Sequence, residues 1–116
     1  MSKHVIALVD DLFWKARLLE TAKATGATMA LVSDPAQLAA KCTEQRPDLV
    51  FVDLALRKDP FGAIRAFKDT AETAEVPVVG YFEHMRTDLH KKGKEAGIET
   101  LIARSTFTEK LASFLL

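Results

Sequence analysis

A chain of 116 residues, 48% hydrophobic and 28% charged, has the size and composition of one globular domain whose core needs no staples. Its 16 basic residues cancel its 16 acidic ones, which removes any broad attraction to nucleic acid or to an anionic membrane surface. The single Cys42 forms no internal disulfide, and no apolar run approaches the roughly 20 residues that cross a bilayer. A single domain over residues 1–116 in the cytoplasm is therefore expected, with no leader pattern in MSKHVIALVDD.

His4 to Val9 is an apolar run that predicts a first strand, closed by the acids Asp10 and Asp11. Leu12 to Thr25 follows with helical spacing, placing Trp14, Leu18, Leu19 and Ala22 on one side, and Gly26 supplies its stop. Ala27 to Val32 reads as a second strand. Ser33-Asp34-Pro35 is a helix start, an acceptor for the first amides followed by Pro at the first helical position, and the helix runs to Gln45 before Pro47 ends it.

Asp48 to Leu54, DLVFVDL, carries four apolar residues in succession and then Asp53, the pattern of a central strand buried on both faces that delivers a carboxylate at its C-terminal end. After the polar loop Arg57-Lys58-Asp59, Pro60 opens a third helix with Ala63, Ile64, Ala66 and Phe67 facing inward. Val76 to Phe82 predicts a fourth strand, with Gly80 marking a close approach inside it. His84 to Ala96 is a more polar helix closed by Gly97, and Ile98 to Ala103 a fifth strand. Thr106 and Glu109 form a capping box for the last helix.

Strands alternating with helices over short links predict an α/β fold, a doubly wound (βα)5 three-layer sandwich with a parallel sheet in the flavodoxin-like order 2-1-3-4-5. That order sets the first and third strands side by side, so Asp10, Asp11 and Asp53 meet at the sheet edge where such folds bind ligands. Crowded carboxylates repel one another and suit a hard divalent cation such as Mg²⁺, which can orient a phosphate on a nucleophilic carboxylate. The chain carries no glycine-rich phosphate loop, no Ser-His-Asp set and no Cys-His arrangement. Cys42 reads as packing, and His4 and His90 lack zinc-ligand spacing. His84, beside Glu83 at the crevice mouth, has the chemistry for proton relay or metal binding, but a lone histidine at a helix start is more often structural. Arg57, Lys58 and Arg104 either hold an anion above the crevice or are simply solvated. Trp14 should pack, and Phe13, if exposed, is a candidate partner contact.

The Asp10-Asp11 pair, Asp53 ending the third strand, the Val76-Pro77-Val78-Val79 strand and Arg104 at the end of the fifth together resemble the receiver domain of two-component response regulators. The resemblance spans the whole chain and rests on the joint placement of short motifs. It implies Asp53 as phospho-acceptor, Asp11 as a direct Mg²⁺ ligand, Asp10 as a partner that acts from behind the ligands or through a water, and the backbone carbonyl of Ala55 as a further ligand. It also implies a histidine kinase, a phosphotransfer protein or another signalling protein as partner. The domain would not be an enzyme beyond Mg²⁺-dependent self-phosphorylation and dephosphorylation at Asp53.

Two positions depart from the family pattern. Phe82 stands where the family has a Ser or Thr that bonds the phosphoryl oxygen, and Arg104-Ser105 stands where it has Lys-Pro. Leu101 and Ile102 occupy the place of the usual switch aromatic. Arginine keeps the charge in a planar fork, so Arg104 could pair with Asp53 bidentately without phosphate, while Phe82 could cover Asp53 from water. The leading expectation is a stand-alone receiver-like module with an atypical switch, since the sequence stops at Leu116 without an output domain. Its partner or homodimer face would run from the fourth strand to the fifth helix, around Tyr81, Met85, Leu101, Phe107 and Phe114. The alternative is a pseudo-receiver scaffold indifferent to phosphorylation, with Asp53 fixed to Arg104. A flavin-type binder is the weakest reading, because no flavin-phosphate pattern is present.

Overall fold

Each apolar run is followed by a helix that must return over the sheet, so the strands come out parallel and the helices cover both faces. The computed structural model of the protein describes residues 2–116. Its strands are β1 (His4–Leu8), β2 (Thr28–Val32), β3 (Leu49–Asp53), β4 (Val78–Phe82) and β5 (Thr100–Ala103), and its helices are α1 (Leu12–Thr25), α2 (Leu38–Gln45), α3 (Phe61–Asp69), α4 (Thr87–Glu95) and α5 (Arg104–Leu115). A 3-10 turn over Pro35–Gln37 leads into α2. The sheet order is β2-β1-β3-β4-β5, the expected flavodoxin-like arrangement.

The period-two alternation of the strands splits the core in two. Ile6, Leu8, Val50, Val52, Val78 and Phe82 face α2, α3 and α4, packing on Leu38, Cys42, Ile64, Phe67 and Leu89. Val5, Ala7, Leu49, Phe51, Val79 and Tyr81 face α1 and α5, packing on Trp14, Leu18, Phe107 and Leu111. All five residues of β3 are buried, as its unbroken apolar run requires of a central strand. Gly80 allows the close approach expected of it: a Cβ there would lie 3.1 Å from the Leu54 side chain and 3.2 Å from that of Leu101.

Local signals hold at some helix ends and fail at others. Gly26 stops α1 in the left-handed region, φ 79°, with its N–H on the Ala22 and Lys23 carbonyls. Asp34 caps the turn before α2 by accepting from Ala36 N–H at 3.0 Å. The capping box at Thr106 and Glu109 does not form: β5 passes directly into α5 through Ala103, so the helix begins at Arg104 and Thr106 already lies inside its first turn. Helix α4 starts at Thr87 rather than His84, because residues 83–86 form a turn closed by Arg86 N–H on the Glu83 carbonyl, 2.8 Å. Leu19 and Ala66, expected inward, are exposed, since the buried stripes of α1 and α3 are narrower than the apolar spacing suggested. At the opposite sheet edge His4 is structural, its ring nitrogens meeting Thr28 Oγ1 and Gln45 Oε1, each at 2.7 Å. Among the described residues no helix is long and apolar enough to cross a membrane.

An aromatic cluster locks the α1/α5 layer to the sheet. Phe107 is fully buried, stacked on Tyr81 at 4.3 Å and 5°, edge-on to Phe51 at 5.0 Å, and 5.8 Å from Trp14. Phe107→Ala should cost about 3–5 kcal/mol, read as a lower urea midpoint at an unchanged m-value.

Candidate functional site

Asp53 ends β3 with β1 on one side and β4 on the other, and only 4% of its surface is exposed. Strand alternation places it with Leu49 and Phe51 on the face covered by α1 and α5. Its Oδ1 accepts the Ala55 N–H at 2.9 Å. Burial pushes the carboxyl above its ordinary pKa, and the charges of Asp10 and Asp11 push the same way. The Ala55 N–H and the Arg104 guanidinium oppose that rise without cancelling it.

The two acids after β1 serve the backbone first. Asp11 is the N-cap of α1, its Oδ1 accepting Trp14 N–H at 3.0 Å. Asp10 Oδ2 accepts Arg57 N–H at 3.0 Å, which ties the β1 end to the loop after β3. Each of these three carboxylates therefore has one oxygen committed to a backbone amide and a second without a hydrogen-bond partner among the described residues. Yet no three His, Cys, Asp or Glu side chains among the described residues stand as a group that could hold a metal ion. The crevice expected from the sequence is thus looser than a metal cage. Its oxygen donors fit an ion such as Mg²⁺ that takes one or two carboxylates and keeps several waters, and do not fit a dedicated protein shell.

Two expectations about the cover of Asp53 fail. Phe82, the last residue of β4, is buried on the opposite face of the sheet, where its ring meets His90 edge-on at 5.6 Å. The reason is register: Asp53 pairs with Tyr81, so Tyr81 shares its face and Phe82, one residue on, must point away. Arg104 forms no ion pair with Asp53. Its guanidinium lies 6.0 Å over the Trp14 ring and its Nε is buried without a partner, so it acts on Asp53 through charge and not contact.

Tyr81 is the residue the sequence reading missed at this site. It is fully buried, and its hydroxyl is likewise unpartnered. Burial first, then the neighbouring charge of Asp53, drive its pKa upward, so it stays a neutral donor. Aligning the alternation of β4 on that of β3 would have identified it.

Other sequence candidates disperse. Tyr81 and Phe107 are core residues and offer no partner face, and Leu101 and Phe114 are half-buried against the core; of the five residues named for that face only Met85 is fully open. Lys58 pairs with Asp34 at 3.2 Å, so it does not join Arg57 and Arg104 in an anion site. His84 is exposed in the turn before α4. Trp14 is buried as expected, and Phe13 is 66% exposed beside it.

No family model and no curated protein matches the sequence. Solved structures do match it over its whole length. The chemotaxis response regulator CheY4 of Vibrio cholerae superposes with a TM-score of 0.82 at 17% identity, covering 99% of this chain and 100% of that one. This is the receiver-domain fold. The receiver domain of a Pseudomonas aeruginosa sensor histidine kinase, solved with magnesium in its active-site cleft, gives 0.83 at 16% identity over 99% of this chain and 98% of that one. A signal receiver domain of a DNA-binding response regulator from Colwellia psychrerythraea gives 0.79 at 20% identity, covering 97% of this chain and 96% of that one.

Two measurements separate the duties of the acids. Asp53 has a folded-state pKa above its unfolded value, so the folded state holds the extra proton and, in EDTA, stability should fall as pH rises from about 4 through that raised pKa. Asp53→Asn keeps an acceptor for Ala55 N–H and removes the charge; it should be more stable than the parent at pH 7, the gap closing at acid pH in urea titrations. Asp11→Ala should cost about 1 kcal/mol through the lost cap, whereas Asp11→Asn should keep most of that stability while losing the carboxylate charge.

Proposed function

We propose that the protein is a receiver-like module of phosphorelay signalling in which Asp53 is the phospho-acceptor. The observation that carries this reading is the position of Asp53. It is the one buried carboxylate among the described residues, it sits at the C-terminal end of the central strand, and one oxygen is pinned by Ala55 while the other is unengaged. In the proposed reaction Oδ2 attacks the phosphorus of a phosphohistidine on a kinase or phosphotransfer protein. The P–N bond breaks, its electron pair leaves with the imidazole, which takes up a proton from solvent, and an acyl phosphate forms. Hydrolysis later returns the carboxylate and inorganic phosphate.

Mg²⁺, held by Asp11 and Asp53 with Asp10 through water and the Ala55 carbonyl, would supply positive charge at the transferring group. Arg104 contributes a second, fixed positive charge in place of the family's lysine. Leu12 and Phe13 beside Asp11, together with Met85 beyond β4, are exposed apolar side chains flanking the crevice and suit contact with a partner protein or a second copy.

The burial of Asp53 favours one other reading, a scaffold whose partner binding ignores phosphorylation, because a carboxyl with 4% of its surface exposed is poorly open to a phospho-donor. The Asp53–Arg104 pair expected of such a scaffold is absent. Incubation with Mg²⁺ and acetyl phosphate distinguishes the two by intact mass. The receiver reading expects one hydroxylamine-labile phosphate that is lost in Asp53→Asn. A wild-type protein that stays unmodified, or an adduct that survives in Asp53→Asn, would leave the scaffold standing.

A further inference from the structure

We propose that the Tyr81 hydroxyl, acting with Arg104 Nε, is the donor set that receives the oxygens of a phosphoryl group on Asp53. This inference rests on the receiver reading and supplies the contact that Phe82 cannot make from the other face of the sheet.

Tyr81 is placed for the task by strand register alone. It is the β4 partner of Asp53, its side chain leaves the sheet on the same face, and its ring is clamped between Phe107, stacked at 4.3 Å, and Trp14 at 5.3 Å. Both aromatic neighbours stand in the first turns of helices that begin at the same edge of the sheet as Asp53. Among the charges acting on the hydroxyl, Asp53 is the strongest and Arg104 the next.

The hydroxyl and Arg104 Nε are the only buried side-chain polar atoms among the described residues without a hydrogen-bond partner. Buried polar groups are nearly always paired, because leaving one without a partner forfeits its hydration with no return. Two such atoms occurring independently would be scattered, but one belongs to the β4 partner of Asp53 and the other to the arginine whose charge acts on both Asp53 and Tyr81. Both are donors, and neither bonds Asp53 itself. Three anionic oxygens installed on Asp53 are what this arrangement lacks.

The test uses the full chain with Mg²⁺ and beryllium fluoride, which forms a phosphoryl-like adduct on a carboxylate, followed by calorimetry and by the fluorescence of Trp14, the single tryptophan. Wild type should bind saturably, and Tyr81→Phe should bind on the order of 10- to 100-fold more weakly, the loss of one hydrogen bond to a charged acceptor. Its unliganded stability should be unchanged or higher, because the removed hydroxyl bonds nothing. Equal affinity in Tyr81→Phe would overturn the inference while leaving Asp53 as acceptor. A loss of unliganded stability would overturn it too, since the hydroxyl would then be bonded inside the resting fold. No binding by wild type would overturn both this inference and the receiver reading.

Discussion

The pairing of β3 with β4 in one register fixes what surrounds Asp53. Because Asp53 stands opposite Tyr81, every residue of β4 has its face decided: Val79 and Tyr81 join the acid on the α1/α5 side, and Gly80 and Phe82 turn to α4. A slip of one residue would bring Phe82 beside the carboxylate and send Tyr81 to the far layer. That slip is blocked from both sides, by the stack of Tyr81 on Phe107 and by the close fit of Gly80 against Leu54 and Leu101. The site is therefore a by-product of core packing. Its most important side chains are held by apolar contacts, which do not weaken with salt or pH as exposed ion pairs do.

The acids illustrate the same economy. Asp11 ends the β1 turn by capping α1, and Asp10 holds the Arg57 amide, so each has a structural reason to be where a cation site would need it. Backbone amides occupy one oxygen of each carboxylate and orient the other. The carboxylates stay apart enough that no closed metal cluster forms, yet close enough that Asp10 and Asp11 raise the pKa of Asp53. A site built this way resists filling by its own charges and gains from an added cation, because the repulsion it relieves is already present.

How much of this was legible in the sequence depended on the range of the signal. Strand and helix alternation is local, and the unbroken run Leu49–Val52 and the capping residues Gly26 and Asp34 led to the right elements and sheet order. Their ends shifted by a few residues because strands stop where pairing stops, which no local pattern records. Leu19 and Ala66 were misplaced because apolar residues on small helices are often left exposed. The false capping box at Thr106 arose because its spacing is common, while the direct junction of β5 and α5 depends on the tertiary fold. Asp10, Asp11, Asp53 and Arg104 were visible as strand-end residues. Tyr81 was not, because its role follows from pairing between β3 and β4, and Phe82 drew attention as the residue at the expected hydroxyl position.

The face on which Tyr81 lies also bears on how a change at Asp53 would spread. A hydroxyl at the Phe82 position would report toward α4, through the layer of Leu89 and His90. Tyr81 instead touches Phe107 of α5 and Trp14 of α1, and Trp14 in turn lies under Arg104 and edge-on to the exposed Phe13. A packed aromatic chain of this kind moves in discrete steps because dense cores deform poorly. If Tyr81 shifts toward a charge on Asp53, the movement must be taken up by the starts of α1 and α5, and Phe13 is the exposed ring at the end of that chain. In this geometry such a shift would be felt on the α1/α5 side of the sheet and not on the α4 side.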